Sequence, residues 1–493
     1  MRQSPFPPRP RVAGSRPAYR PGGRLRSCAP ATRLALLATV GAAIAVLAGP
    51  VADRGALGAQ APARAGVRLS ELYAEVLRAN PRLTAARALA RAAEARISAA
   101  GRPPDPQLQI GAMNYMLPQL VPMDPLGMVQ LQVMQMVPIN GTLALATRAA
   151  AAQSAAMRAR TDEVSWALRS QVAMAFFELS ATDRNLDVMR ETLRLLSDIA
   201  ATAASMYRVG EGRQADVLRA RVEIARMTED TIRMQAMRET MVARLNALAD
   251  RDAEVPIGTP APPRFPDAFP SRPWLDSVAA LNRPMVRAAL EEVRAAEAGE
   301  RMARRALIPD LQVGVQYGQR GASRFQGDEM GGTQRMGSLM IGASIPIFAR
   351  ARQLQLREEA AAMRAMAQAE VAVVRAETRG GLGEALAALT RARRLGQLYR
   401  TEILPQAEAT VTSSLAAYRV GSVDFMTLLD NQMRVNRYRL ELATLDADEG
   451  KAWAELEMLT GHELYDPNTI AWHDAAEPIR SIGLVALTPG GAV

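Results

Sequence analysis

A chain of 493 residues that is 49% hydrophobic but only 4% aromatic packs its interior with small side chains, alanine above all, at the close helix spacing of coiled coils. Its 22% charged residues and periodic segments exclude wholesale disorder and the fibrous classes. The net charge of +10 is no nucleic-acid surface: nine arginines against Asp53 alone put +8 of it within residues 1–61.

Those first 61 residues read as a signal peptide. An Arg-rich stretch ends at Arg33, an apolar run covers 34–48, and small residues between Ala56 and Ala61 suit a signal peptidase. The run is too short to span a bilayer. Cys28, the single cysteine, precedes the run, so it is badly placed for lipid attachment, and the mature chain can form no disulfide. Beyond residue 61 there is no uninterrupted apolar stretch of about 18 residues, which leaves a soluble exported protein or a β-barrel.

From there the chain is written twice. Residues 81–111 align without a gap on 284–314 at a constant offset of 203, so that Ala92, Ala93, Glu94 and Ala95 match Ala295, Ala296, Glu297 and Ala298. Farther on, Val137, Pro138 and Ile139 correspond to Ile345, Pro346 and Ile347 at an offset of 208. Tyr207, Arg208, Val209 and Gly210 correspond to Tyr418, Arg419, Val420 and Gly421 at 211, a drift that loop insertions produce. Each half reads helix, strand, strand, long helix, long helix. Residues 62–251 form the first repeat and 274–461 the second, with a Pro-rich linker at 252–273 and a tail at 462–493.

In the first repeat, strands are predicted at about 105–116 and 128–138. Parity separates Leu108, Ile110 and Ala112 from Gln107, Gln109 and Gly111, and Val129, Leu131 and Val133 from Gln130 and Gln132. Strands of roughly ten residues with one apolar face suit a transmembrane barrel, and soluble sandwich strands read the same way. Helices follow at about 142–209 and 213–249. Neither Gly nor Pro occurs between Thr142 and Val209, so one helix runs roughly 100 Å, far beyond a bilayer of about 30 Å. Its Leu186, Met189, Leu193, Leu196, Ala200 and Ala203 step by three and four along a coiled-coil seam.

The second repeat has strands at about 309–319 and 337–347, with Leu311, Val313, Val315 and Tyr317 opposite Gln312, Gly314 and Gln316, then Leu339 and Ile341 opposite Ser338 and Gly342. Its helices fall at about 352–418 and 424–460. Gly380, Gly381, Gly383, Gly396 and Pro405 are expected to bend or interrupt the longer one, leaving the two halves unequal in stiffness. Four strands cannot close a barrel, for which about eight is the minimum, so strands in a membrane require several chains.

This architecture resembles the TolC family of outer-membrane efflux proteins over about residues 68–462. The likeness rests on the duplication, on Tyr207 to Gly210 followed by Asp216, Val217 and Leu218, and on Tyr418 to Gly421 followed by Leu428 and Leu429. The stretch from Ile403 to Ala407 and the closing Leu459, Thr460 and Gly461 add to it. The resemblance implies an α+β membrane protein, a homotrimer whose pooled strands form a transmembrane β-barrel continuous with a long α-helical coiled-coil barrel in the periplasm. It implies a passive channel seated in outer-membrane lipid, served by a periplasmic membrane-fusion adaptor and an inner-membrane pump of RND type, and gated by helix ends that move apart. By the same resemblance the adaptor docks at the helix tips: Tyr207, Arg208, Val209, Gly210 and Asp216, with Tyr418, Arg419, Val420, Gly421 and Asp424. The two aspartates also suit capping of the returning helices. Leu108 to Asn114 and Gln135 to Gly141 look most like the heavy-metal branch, the CzcC and CusC type, which makes metal cations the expected substrate. Drug efflux, type I secretion and a soluble periplasmic scaffold are the competing readings. The lipid anchor common in CusC-type proteins does not carry over, because the mature chain has no cysteine.

No nucleophile and base pair, phosphate loop or zinc motif is present, so the sequence points to neither an enzyme nor a cofactor. His462 and His473 stand outside any ligand spacing. Met113, Met128, Met134 and Met136 share parity with the glutamines of the first hairpin, and they face a lumen if the apolar band faces lipid. Thioethers suit Cu(I) and Ag(I), although methionine more often fills irregular space.

Overall fold

The computed structural model describes residues 66–468, apart from 117, 119, 120, 124–126, 322, 326, 327 and 331. The expected signal peptide, His473 and most of the tail lie outside the described residues.

Two short helices open the first repeat, α1 (Leu69–Ala79) and α2 (Pro81–Ala100). The Asn80 side chain accepts a hydrogen bond from the Arg82 N–H at 2.8 Å, and Pro81 sits where no amide is needed, so α2 is started by its sequence. Strands β1 (Gln107–Met113) and β2 (Met128–Val137) come next, then α3 (Thr142–Arg208) and α4 (Gln214–Leu248). The linker follows, its Pro260–Ala261 paired in parallel with Val67–Arg68. The second repeat consists of α5 (Arg272–Asn282), α6 (Pro284–Arg305), β3 (Leu311–Arg320), β4 (Gln334–Ala343), α7 (Gln353–Leu398), α8 (Leu404–Arg419) and α9 (Phe425–Thr460).

The four long strands make one antiparallel sheet in the order β4, β3, β2, β1. Beside the sheet the helices keep that lateral order, since α7 packs on α6, α6 on α3 and α3 on α2. Farther along α3, α4 takes the place of α2 on one flank and α9 the place of α6 on the other, and α9 also packs on α7 and α8. The result is a wall of four columns, α2 with α4, α3, α6 with α9, and α7 with α8. Among the described residues, no further column lies beyond its two edges, the α2 column and the α7 column.

The largest core lies where the repeats meet. Phe176, Phe177 and Trp453 are fully buried there, with Phe265 of the linker stacked on Trp453 at a centroid distance of 6.1 Å. Tyr465, in the tail, closes this core edge-on to Phe265 at 5.1 Å. A second core of Met189, Leu196, Ile199, Ala203, Met227 and Phe425 joins both long hairpins toward their tips.

One expectation is corrected. Helix α7 runs unbroken through Gly380, Gly381, Gly383 and Gly396. Two of these glycines serve close approach: a Cβ at Gly381 would lie 3.1 Å from Leu459 Cδ1, and one at Gly383 would lie 3.0 Å from the Arg272 guanidinium. The interruption is a single π turn, Tyr399–Ile403, just ahead of Pro405, whose missing N–H removes one helical hydrogen bond.

Candidate docking tips and conducting faces

The tips are built alike. Helix α3 ends with Gly210 at φ +84°, where the Gly210 N–H reaches the Tyr207 carbonyl and the Glu211 N–H the Met206 carbonyl. Helix α8 ends with Gly421 at φ +73°, its N–H on the Tyr418 carbonyl and the Ser422 N–H on the Ala417 carbonyl. Both are Schellman stops, which require a left-handed residue that glycine adopts without strain. Each stop thrusts a valine into solvent, Val209 at 68% and Val420 at 78% exposure.

The equivalent tyrosines part company. Tyr207 is exposed, whereas Tyr418 is buried edge-on to Phe425 at 5.9 Å, and burial raises its hydroxyl pKa. Tyr418 therefore belongs to the packing of the tip. Asp424 caps α9, accepting the Thr427 N–H at 3.1 Å, and the Thr427 hydroxyl and amide hold its carboxyl below the usual range. Asp216 is instead an uncapped first-turn acid of α4, which starts after Arg213. Charges of one hairpin act on the other, Asp216 on Tyr418 and Arg213 on Asp424, so the two tips form one surface. Arg208 and Arg419 close the last turns of their helices.

The register of the sheet sorts most of its side chains. Leu108 pairs with Val133, Val133 with Val315 and Val315 with Leu339, and the next row contains Ile110, Leu131 and Tyr317. All seven are exposed large apolar residues, reaching 75% at Ile110, so the middle of this face is an unshielded apolar band, bounded by Gln135 beside Val313 at one end and by Gln319 and Arg335 at the other. The other face is polar. Its central row is Gln109, Gln132, Gln316 and Ser338, and the Gln316 amide donates to the Gln130 carbonyl oxygen.

Methionines flank that glutamine row. Met134, Gly314 and Met340 lie in one row, Met128 leans over Gly318, and Met336 pairs with Gly318 from the far side. Met113 pairs with Met128, and Met136 pairs with Gln312 one row beyond. Met336 and Met340 escaped the sequence reading, although they share parity with Ser338 and Gly342.

Farther along the helices, residues of α2, α3, α6 and α7 line an open hollow of about 750 Å³. Leu89 and Arg96 of α2, Met157 and Arg160 of α3, Glu292 of α6, and Met363 and Met366 of α7 line it. Among the described residues no group of three or more His, Cys, Asp or Glu stands close enough to hold a metal, and His462 is exposed.

A buried carboxylate also escaped the sequence reading. Glu457 of α9 is 3% exposed and accepts the Leu464 N–H at 2.8 Å and the Tyr465 N–H at 3.4 Å, with Arg169 Nη2 at 3.9 Å. Burial pushes its pKa up to about 7 against those favourable contacts. Tyr73 and Tyr465 share a buried hydroxyl contact of 3.3 Å beside it, and desolvation raises both hydroxyl pKa values.

Residues 72–250 and 275–462 match the family model described as outer membrane efflux protein. No curated protein matches the chain by sequence. The fold is shared with solved channels. CusC is 17% identical over 80% of this chain and 92% of that one, with a TM-score of 0.68. VceC from Vibrio cholerae is 16% identical over 80% and 96%, again at 0.68. The open state of the Neisseria gonorrhoeae MtrE channel is 17% identical over 81% and 90%, at 0.66.

Proposed function

Because the chain belongs to the outer membrane efflux protein family, we propose that it is the exit duct of a tripartite efflux machine, three copies of which close one channel. It is an outer-membrane transport protein and not an enzyme. The observation that carries the trimeric reading is the pair of open edges on a wall whose sheet and helices share one order.

The duplication supplies the partner for those edges. In α6, Ala288, Ala295 and Ala298 are buried, and Ala298 shares a groove with Leu145 and Ala152 of α3. Their equivalents in α2, Ala85, Ala92 and Ala95, are exposed. The α7 equivalents of Leu145 and Ala152 are Leu356 and Met363, and both are exposed. The α2 edge of one copy therefore fits the α7 edge of the next, head to tail, in the contact that α6 already makes with α3. At the sheet, β4 of one copy meets β1 of the next in the same alternating direction. Two copies give eight strands, an interior that side chains fill, and three give twelve, which leaves a lumen. The apolar band then faces lipid and the glutamine and methionine face lines the passage.

The tips hold the opposite end of the duct, and Val209 and Val420 form the apolar contact for the hairpin of a periplasmic adaptor, flanked by Tyr207, Arg208 and Arg419. An inner-membrane pump of RND type supplies the energy. The thioethers of the passage favour heavy-metal cations as substrate. Deleting the gene and scoring growth on copper, silver, zinc, cobalt and cadmium, beside lipophilic drugs and detergents, tests this reading. Sensitivity confined to metals is expected. Sensitivity to drugs alone overturns the metal assignment and keeps the duct, whereas unchanged growth on every compound overturns the duct as well.

A further inference from the structure

We infer that the polar face of the sheet contains two thioether sites for monovalent soft cations of the Cu(I) and Ag(I) class, each made by two methionines that meet across a glycine of β3. The inference rests on the reading of this face as the wall of the passage.

Directly paired residues of antiparallel strands share a face and stand about 4.5–5.5 Å apart at Cα. Met134 and Met340 both pair with Gly314, one from each neighbouring strand. With no side chain at Gly314, both methionines fold inward: a Cβ there would lie 3.2 Å from Met134 Cγ and 3.6 Å from Met340 Cε. Four residues along β3, a related arrangement follows. Here the β2 residue paired with Gly318 is Gln130; Met128, paired with Arg320, leans back so that a Cβ at Gly318 would lie 2.5 Å from its Sδ, and Met336 pairs with Gly318 from β4. Each glycine thus removes the side chain that would otherwise stand between thioethers on the two strands that flank β3.

Simple space filling explains one methionine over one glycine. It does not account for a methionine side chain reaching each of the two glycines from β2, Met134 by direct pairing and Met128 diagonally, with another methionine paired to each from β4 and Gln316 at the intervening position on β3. Two neutral sulfur donors on opposite sides of an open centre suit the low coordination of a d10 monovalent cation, and harder divalent ions prefer nitrogen and oxygen donors. Each sulfur donates a lone pair and no electron is transferred. Thioethers bind no proton near neutrality, so occupancy is independent of pH across the range where histidine or carboxylate sites would titrate. Two uncharged donors hold the ion weakly enough to release it, as conduction requires. The two sites lie four residues apart along β3, roughly 13 Å, a spacing that hands an ion along the passage in steps.

Calorimetric titration of the purified, detergent-solubilised protein with Ag(I) at pH 5.5 and pH 7.5 tests this. Wild type is expected to take two ions per chain with equal affinity at both pH values. The pair M134L and M340L should lose one ion, the pair M128L and M336L the other, and the fourfold variant both, because leucine conserves the volume and removes the donor. M237L and M366L, outside the sheet, should lose none. Undiminished Ag(I) binding by the fourfold variant, or no binding by wild type, overturns the sites. Potassium conductance of the fourfold variant in planar bilayers separates the two ideas. Conductance retained without Ag(I) binding by wild type condemns the sites alone, and no conductance from wild type condemns the duct on which they rest.

Discussion

Glu457 is where a single side chain most disturbs the balance of the fold. Its carboxyl titrates near 7 in the folded chain against 4.5 ordinarily, because desolvation outweighs two backbone N–H donors and the nearby Arg169. Below about pH 4.5 it is neutral folded or unfolded and costs nothing. Between about 4.5 and 7 the unfolded chain ionises while the folded one keeps its proton, so stability falls as pH rises. Above 7 the full cost stands, roughly 3 kcal/mol. Glu463 adds repulsion at the same place, Arg169 opposes it, and Tyr73 and Tyr465 stay neutral. E457Q keeps an acceptor for the Leu464 and Tyr465 amides without the charge. Thermal unfolding at pH 5 and pH 8 is expected to give a drop in wild type that shrinks in E457Q. An identical drop in both proteins would falsify this account. Nothing in the sequence marks Glu457 among the many helical glutamates, because the pocket that buries it is closed by Tyr73 and Arg169, hundreds of residues away in the chain.

At the scale of elements, periodicity is legible wherever one segment decides its own form. The absence of Gly and Pro in α3, the alternation in the four strands and the Gly210 and Gly421 stops are all local signals. Glycines in α7 mislead because their reason is a neighbour: Leu459 at Gly381 and Arg272 at Gly383 occupy the space a side chain would fill. The tip tyrosines, alike in sequence, differ in burial, since Tyr418 packs on Phe425 of the following helix whereas Tyr207 is exposed. The exposed valines stand apart from all packing, so their role can be tested cleanly. V209D and V420D together should leave melting temperature and oligomeric state unchanged, because exposed substitutions typically shift stability within about 0.5 kcal/mol. Efflux in cells should fall to the level of the deletion strain. Full efflux by the double variant would rule out these valines as the docking contact.

For the whole molecule, the duplication is the most informative feature of the sequence, and its lateral consequence emerges only in three dimensions. The offset of 203 names Ala95 and Ala298 as equivalents, but only packing reveals that one is covered by α3 and the other bare. In the proposed trimer, the contact inside the chain is the template for the contact between chains. Ala95→Cys with Met363→Cys joins positions equivalent to the neighbours Ala298 and Ala152. The described chain has no native thiol, since Cys28 lies in the N-terminal 61 residues. Mild oxidation is expected to yield covalent dimers and trimers on denaturing gels, reversed by reductant. Monomers with free thiols under oxidation would mean that the edges meet some other way.

Helix α3 has a mechanical consequence. Sixty-seven residues without an internal Gly or Pro make a strut of roughly 100 Å that starts at the end of β2 and finishes at Val209. A strut of fixed length works as a depth gauge. It sets how far below the outer membrane the proposed docking surface hangs, whatever the cell does to the gap between its two membranes. Stretching the envelope then pulls the tips away from anything anchored on the inner side, and compressing it pushes them together. The width of the periplasm thereby becomes a variable of assembly, read by the rigidity of one helix.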